Sequence, residues 1–244
     1  MLAHLLVIHF SLGIDLDLTN VFWVLPNDDA ERLRGWPAFR YRGILPAIAA
    51  THAAYRERDH AGSAICFLVR DPRDTLVSYW LHRSHQLGTF EGSAGDFIRH
   101  PRHGITGLVT YLDGWAKALT RESGLILSYE EMQLNTADAL RRVAAHFALP
   151  ATAGEIAGAV EAGRFDRMRE RELRGGLAGH DYARTDEEAL RVRRGVVHGY
   201  TDYLSEDDEA LIRRHIMDAP PRVRRLVERT GYVDGAGATE EASS

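Results

Sequence analysis

The chain has 244 residues and a formal net charge of −5, with the balance of apolar and charged residues found in soluble globular proteins. That length allows one sizeable α/β domain or two small ones, and the mildly acidic balance gives no reason to expect a nucleic-acid partner. The single cysteine, Cys66, excludes an internal disulfide and a cysteine metal site, and cytoplasmic residence is expected. Lys117 is the only lysine, so any chemistry that needs a phosphate-binding lysine has one candidate.

Residues 1–12 are apolar but too short to span a bilayer, and they read as a buried helix ending near Gly13. Residues 15–42 carry Pro26, Pro37, Trp23 and Trp36, and read as loop with short helical pieces beside a site. Residues 44–54 are rich in alanine, which favours helix on propensity. Residues 64–69 form a short unbroken apolar run, as in a strand buried on both faces. Arg70 ends that run, Asp71 can cap, and Pro72 stands at the first helical position. Asp74 falls in the first turn, and Leu76, Val77, Trp80 and Leu81 make an apolar stripe at helical spacing.

A strand, a tight turn and a helix N-terminus beside an arginine suit an anion, phosphate above all. Ser78, one helical turn beyond Asp74, is placed to join Arg70 around one phosphate. The spacing allows a plainer alternative, in which Asp71 or Asp74 holds Arg70 and Ser78 faces solvent. His82 and His85 continue the exposed end of this helix, and their i, i+3 spacing reads as helix surface rather than zinc site. Residues 88–107 read as a long loop with a short helix near 96–99, the kind of segment that serves as a lid or binding loop.

Leu108, Tyr111, Leu112, Trp115 and Leu119 follow helical spacing, and Lys117 lies on the same helix. Residues 124–132 read as a second apolar strand stopping at polar residues, with Tyr129 near its end. An amphipathic helix follows Asn135 and is closed by Pro150. Residues 152–172 read as two helices joined around Gly163, with most of the arginines from 164 to 174 on a solvated face. Paired Arg193 and Arg194 followed by Gly195 suit a phosphate, with two charge-assisted donors and a backbone open to close approach. Ser205 caps a helix running to about Met217, and Pro220-Pro221 starts another to Arg229. Residues 235–244 are expected to be a disordered tail after a single domain over 1–234.

The stretch Arg70-Asp-Pro-Arg-Asp-(x)3-Ser78-Tyr-Trp resembles the 3′-phosphate-binding segment of PAPS-dependent sulfotransferases, PAPS being 3′-phosphoadenosine 5′-phosphosulfate. Three further points resemble that family in the same order. Tyr129 matches a tyrosine on the adenine side of the nucleotide, and Phe165 an aromatic that stacks near adenine. Arg193, Arg194 and Gly195 match an Arg-Lys-Gly motif that closes over the 3′-phosphate, with Arg194 in place of lysine. Thr51-His52 matches the end of a family strand, which sets a strand against the helix favoured by propensity over 44–54. The resemblance makes His52 the general base that takes the acceptor's proton, a task suited to imidazole. Gly163 departs from a family serine or threonine.

The resemblance implies an α/β fold, a mostly parallel central sheet flanked by helices, P-loop-like but lacking its first strand and loop. It implies PAPS as co-substrate, 3′-phosphoadenosine 5′-phosphate (PAP) as product and no metal. The acceptor is expected to be a small molecule or glycan, with no nucleic acid and no transmembrane segment. Family members carry a Pro-Lys-Ser-Gly-like loop around the 5′-phosphosulfate, and no Gly-Lys pair occurs in this sequence. Weak PAP binding and slow turnover are therefore expected, with a non-catalytic nucleotide-binding remnant as the alternative. An open sheet edge would also favour self-association.

Overall fold

The computed structural model describes residues 1–17, 20–27, 47–121, 124–176, 183 and 185–232. Trp36, most of the loop expected over 15–42, the start of the 44–54 segment and the tail lie outside the described residues. The sheet has two strands, β1 (Ile65–Val69) and β2 (Gly124–Ser128), paired in parallel from Ile65 opposite Gly124 to Val69 opposite Ser128. Ile65, Phe67 and Val69 are buried while Leu68 is exposed. The apolar run is thus covered on one face within this alternation, not evenly on both.

Eleven α-helices are seen among the described residues. They are α1 (Leu2–His9), α2 (Glu57–His60), α3 (Pro72–Leu81), α4 (Ala94–Ile98), α5 (Ile105–Arg121) and α6 (Tyr129–Leu134). The rest are α7 (Thr136–His146), α8 (Ala153–Ala162), α9 (Phe165–Gly175), α10 (Glu206–Met217) and α11 (Pro221–Glu228). Many start where the sequence supplies a cap: the side chains of Asp71, Ser93, Asn135, Thr152 and Ser205 each accept a backbone N–H of the helix that follows. Residues 47–54 form neither helix nor continuous strand; a single parallel bridge joins Asn27 and Ala50.

One expectation needs correcting. Tyr129 does not end a strand but opens a helix, α6, that the apolar pattern does not announce. Ser128 is the reason. Its hydroxyl accepts the Glu131 N–H at 3.0 Å while the Glu131 carboxylate accepts the Ser128 N–H at 3.0 Å. This reciprocal pair is a capping box, and it turns the chain at the strand's last residue.

The chain forms two compact units, neither a continuous stretch of sequence. The first comprises Met1–Ala54, His85–Gly88 and Asn135–Gly195. Its core gathers Leu5 and Leu6 of α1, Leu140 and Ala144 of α7, and Ile156 and Ala159 of α8. The second comprises Tyr55–Ser84, Thr89–Leu134 and Val196–Ser244 and contains the sheet. Its core joins Phe67 and Val69 to Leu76 of α3, Trp115 of α5, Ile212 of α10 and Val223 of α11.

Asp208, almost wholly buried, ties α10 to α4 within the second unit. It accepts the N–H and hydroxyl of Ser205 at 3.1 and 2.8 Å and pairs with Arg99. Burial works to raise its pKa, but the bonds from Arg99 and Ser205 outweigh it and hold the carboxyl below the ordinary 3.8. A carboxyl with a depressed folded pKa stabilises fully above its unfolded value and loses that contribution as pH falls through the folded one. The melting temperature should therefore drop as pH falls below about 4, and Asp208→Asn should flatten that acid limb; thermal melts across pH 2–6 check this, and an unchanged slope in the variant would contradict it.

Candidate functional site

The parallel register places the two strand ends side by side, so the residues just past them, Arg70 and Tyr129, become neighbours. The Arg70 guanidinium lies over the Tyr129 ring, 4.4 Å from its centroid. One terminal nitrogen, Nη2, donates to the Val196 carbonyl at 3.3 Å and faces the Asp74 carboxylate at 3.4 Å. Nε is buried without a hydrogen-bond partner, and Nη1 makes no hydrogen bond among the described residues. Of the two readings of Arg70 offered by the spacing, the plainer one is seen in part: Asp74 holds this arginine, through one nitrogen only.

Asp74 has a larger task than favouring a helix dipole. It is buried, and its two oxygens accept the backbone N–H groups of Tyr200 and His198, each at 2.9 Å. The segment that begins at Val196 is thereby fastened to the first turn of α3. Asp71, fully buried, takes the neighbouring arginine instead. It accepts Arg73 through the backbone N–H, Nε and Nη2 at 2.8, 3.0 and 2.6 Å, and its own N–H donates to Glu130 at 3.0 Å.

Arg73 also lies 4.2 Å from the Tyr200 ring centroid and 4.7 Å from that of Tyr232. Burial alone would lower its pKa, but the hydrogen bonds and charge of Asp71 win and raise it further. Burial, more than the nearby charges, raises the phenol of Tyr200. The two arginines of the turn are unlike. Arg73 is saturated by partners and structural, whereas Arg70 is braced and keeps donors to spare. Ser78 is exposed one turn beyond Asp74, and its hydroxyl makes no hydrogen bond among the described residues.

In the first unit, Phe165 and Gly195 meet. Gly195 has φ +64°, and a Cβ there would come within 2.5 Å of the Phe165 ring, so both backbone angle and space demand glycine. Arg193 is half-buried, with Nη1 3.4 Å from Glu188. Arg194 is exposed. Gly163 is crowded rather than open, since a Cβ there would sit 2.5 Å from Met1 Cγ and 3.2 Å from the Ala159 carbonyl, which accounts for the missing hydroxyl.

Three residues of α9 escaped the sequence reading, which put most of its arginines on a solvated face. Arg169 donates to the carbonyls of Val192 and Arg193 at 2.8 and 2.7 Å, and Arg171 donates to that of Ala162 at 2.8 Å. Glu172, fully buried, accepts the N–H groups of Arg191 and Val192, both at 2.7 Å. The phase of the helix carried the signal: Phe165, Arg169 and Glu172 stand at i, i+4 and i+7, on one face.

His52 is exposed on the segment after the Ala50 bridge, in the first unit with Phe165, Arg193, Arg194 and Gly195, while Arg70, Ser78 and Tyr129 belong to the second. Lys117 pairs with Asp113 on α5 at 2.6 Å. Among the described residues no group of three or more His, Cys, Asp or Glu is placed to hold a metal ion, and no helix is long and apolar enough to cross a membrane.

Residues 62–225 match the sequence model of the sulfotransferase domain, more than half of the chain. No protein of curated function matches the sequence. Among solved structures, a mouse sulfotransferase complexed with PAP is similar with a TM-score of 0.59 at 18% identity, covering 80% of this chain and 74% of that one. A retinol dehydratase in complex with androsterone and inactive cofactor PAP is similar at 0.59 and 19% identity, covering 89% of this chain and 76% of that one. The complex of retinol dehydratase with retinol and PAP is similar at 0.59 and 16%, with the same coverage. These likenesses show the fold, a small parallel sheet among many helices of the α/β class, and the sequence match fixes the family: this chain belongs to the sulfotransferase domain family.

Proposed function

We propose that the chain moves a sulfuryl group from PAPS to a hydroxyl or amine of a small-molecule acceptor. The presentation of Arg70 carries this reading. Its guanidinium is fixed on Tyr129 and tied through Nη2 alone, with Nε buried and unpartnered. A buried unmet donor is costly unless a ligand meets it, and a guanidinium edge matches a phosphate dianion.

In this reading Arg70 and Ser78 bind the 3′-phosphate, and the family resemblance assigns Arg193, Arg194 and the backbone of Gly195 to the same group. Tyr129 and Phe165 flank the adenine. The acceptor oxygen or nitrogen attacks sulfur, the bond from sulfur to the bridging oxygen breaks, and His52 takes the acceptor's proton. The displaced charge leaves on the 5′-phosphate of PAP. Placement and electrostatic stabilisation supply the acceleration, as in phosphoryl transfer. Retinol and androsterone, bound by the similar retinol dehydratase, favour a small molecule over a glycan as acceptor.

A second reading, nucleotide binding without turnover, draws on one observation. The chain's only lysine is committed to Asp113, so it is not poised for the leaving oxygen.

Calorimetric titration with PAP and with adenosine 5′-monophosphate tests the donor site. The protein should prefer PAP, and Arg70→Gln should weaken PAP about 10- to 100-fold, the worth of one or two hydrogen bonds to a charged group. Equal affinity for both nucleotides would refute the assignment. Transfer of labelled sulfuryl from PAPS to a panel of hydroxylated small molecules separates the two readings. If His52 is the base, His52→Ala should cut kcat about 100-fold or more with little change in PAP affinity; a parallel loss of PAP binding would instead place His52 among the donor contacts.

A further inference from the structure

We propose that Glu172 and Arg169 are positioning residues that hold the main chain of residues 191–195 ready for a 3′-phosphate; this rests on the donor reading above. The two side chains grip the same short segment by opposite groups. Glu172 takes the N–H groups of Arg191 and Val192, one to each oxygen at 2.7 Å. Arg169 takes the carbonyls of Val192 and Arg193 through a single nitrogen at 2.8 and 2.7 Å. A third residue of the same helix face, Phe165, lies against Gly195. The loop is thereby fixed from both sides of its peptide units.

A fully buried carboxylate is expensive unless its oxygens are hydrogen-bonded, so Glu172 requires these two amides as much as they require it. The segment has little regular structure of its own between the turn at Glu187–Ala189 and Gly195. Without the grip, ordering it would be charged against binding; with it, that ordering is complete before a nucleotide arrives. The loop's turn is fixed further by Asp186, which caps Glu187–Ala189, and by Glu188, which meets Arg193 at 3.4 Å. Neither Glu172 nor Arg169 is assigned a contact with ligand. Their effect must therefore appear in how well a 3′-phosphate is told from its absence.

Glu172→Gln and Arg169→Gln test this. The first turns one acceptor into a donor facing an N–H group, and the second removes the charge from the carbonyl contacts. Amide hydrogen exchange at Arg191 and Val192 should speed up in Glu172→Gln while α8 stays protected. In both variants affinity for PAP should fall about tenfold, with affinity for adenosine 5′-monophosphate unchanged, because only the 3′-phosphate uses the loop. Equal losses for the two nucleotides, or no loss for either, would overturn the proposal and leave the donor reading intact. Wild-type protein that binds both nucleotides alike would overturn the donor reading instead; the grip then stands or falls on amide exchange, and retained protection in Glu172→Gln refutes it. Should Glu172→Gln fail to fold, Arg169→Gln decides by the same nucleotide ratio.

Discussion

Two buried carboxylates, each closed by a pair of main-chain N–H groups, carry the structure around the Arg-Arg-Gly sequence. In the first unit Glu172 takes Arg191 and Val192; in the second Asp74 takes His198 and Tyr200. In sequence the two pairs bracket Arg193, Arg194 and Gly195. Such an arrangement answers a physical conflict. An irregular segment has backbone donors with no ladder to join, and a buried carboxylate has acceptors with no water. Each deficit meets the other, and charge-assisted bonds of 2.7–2.9 Å result. Removing one partner would leave the other unsatisfied in a low-dielectric setting, which makes these contacts far less replaceable than a surface ion pair.

The second constraint is the parallel register of β1 and β2. Because Val69 pairs with Ser128, the next residues emerge together at the carboxyl ends of the strands. Parallel sheets commonly bind ligands at that edge, where backbone amides of the following helices point outward. Here each strand turns at once into a helix, α3 through the Asp71 cap and Pro72, α6 through the Ser128–Glu131 capping box. Glu130 and Asp71 then join the two turns through a 3.0 Å bond, so the positions of Arg70 and Tyr129 are set by backbone geometry on both sides.

How much of this the sequence disclosed depends on the range of the interaction. Local rules located α3, α7, α8 and α10 well, since a cap and an apolar stripe are written within a dozen residues. Gly195 was read as letting the main chain come close to a phosphate; its positive φ and the Phe165 ring packed against it needed coordinates. The start of α6 was missed because the Ser128–Glu131 signal sits inside an apolar run that competes with it. Arg169 and Glu172 were missed for another reason. On a helix as charged as α9, a residue that grips a loop about 20 positions away looks the same as one facing water, and nothing local tells Arg169 from Arg167 or Arg174, both largely exposed. Asp74 was read by its nearest neighbours and so credited with the helix dipole, while its partners lie more than 120 residues on.

The preference for arginine over lysine acquires a structural sense at Arg70. An ammonium is a point charge and could meet Asp74 or the Val196 carbonyl, but it has no plane to lay on Tyr129 and no second edge to offer. A guanidinium on an aromatic face gains about 0.5–2 kcal/mol from that contact, and the contact also fixes the plane in which its N–H groups point. With Nη2 spent on protein acceptors, orientation decides what the remaining donors can reach. Arg73, three residues on, has the same charge and a similar aromatic setting, yet Asp71 occupies its Nε and Nη2 and Glu209 lies 3.4 Å from its Nη1. The difference between the two arginines of this turn is thus the number of donors left over, a quantity that neither charge nor burial alone reveals.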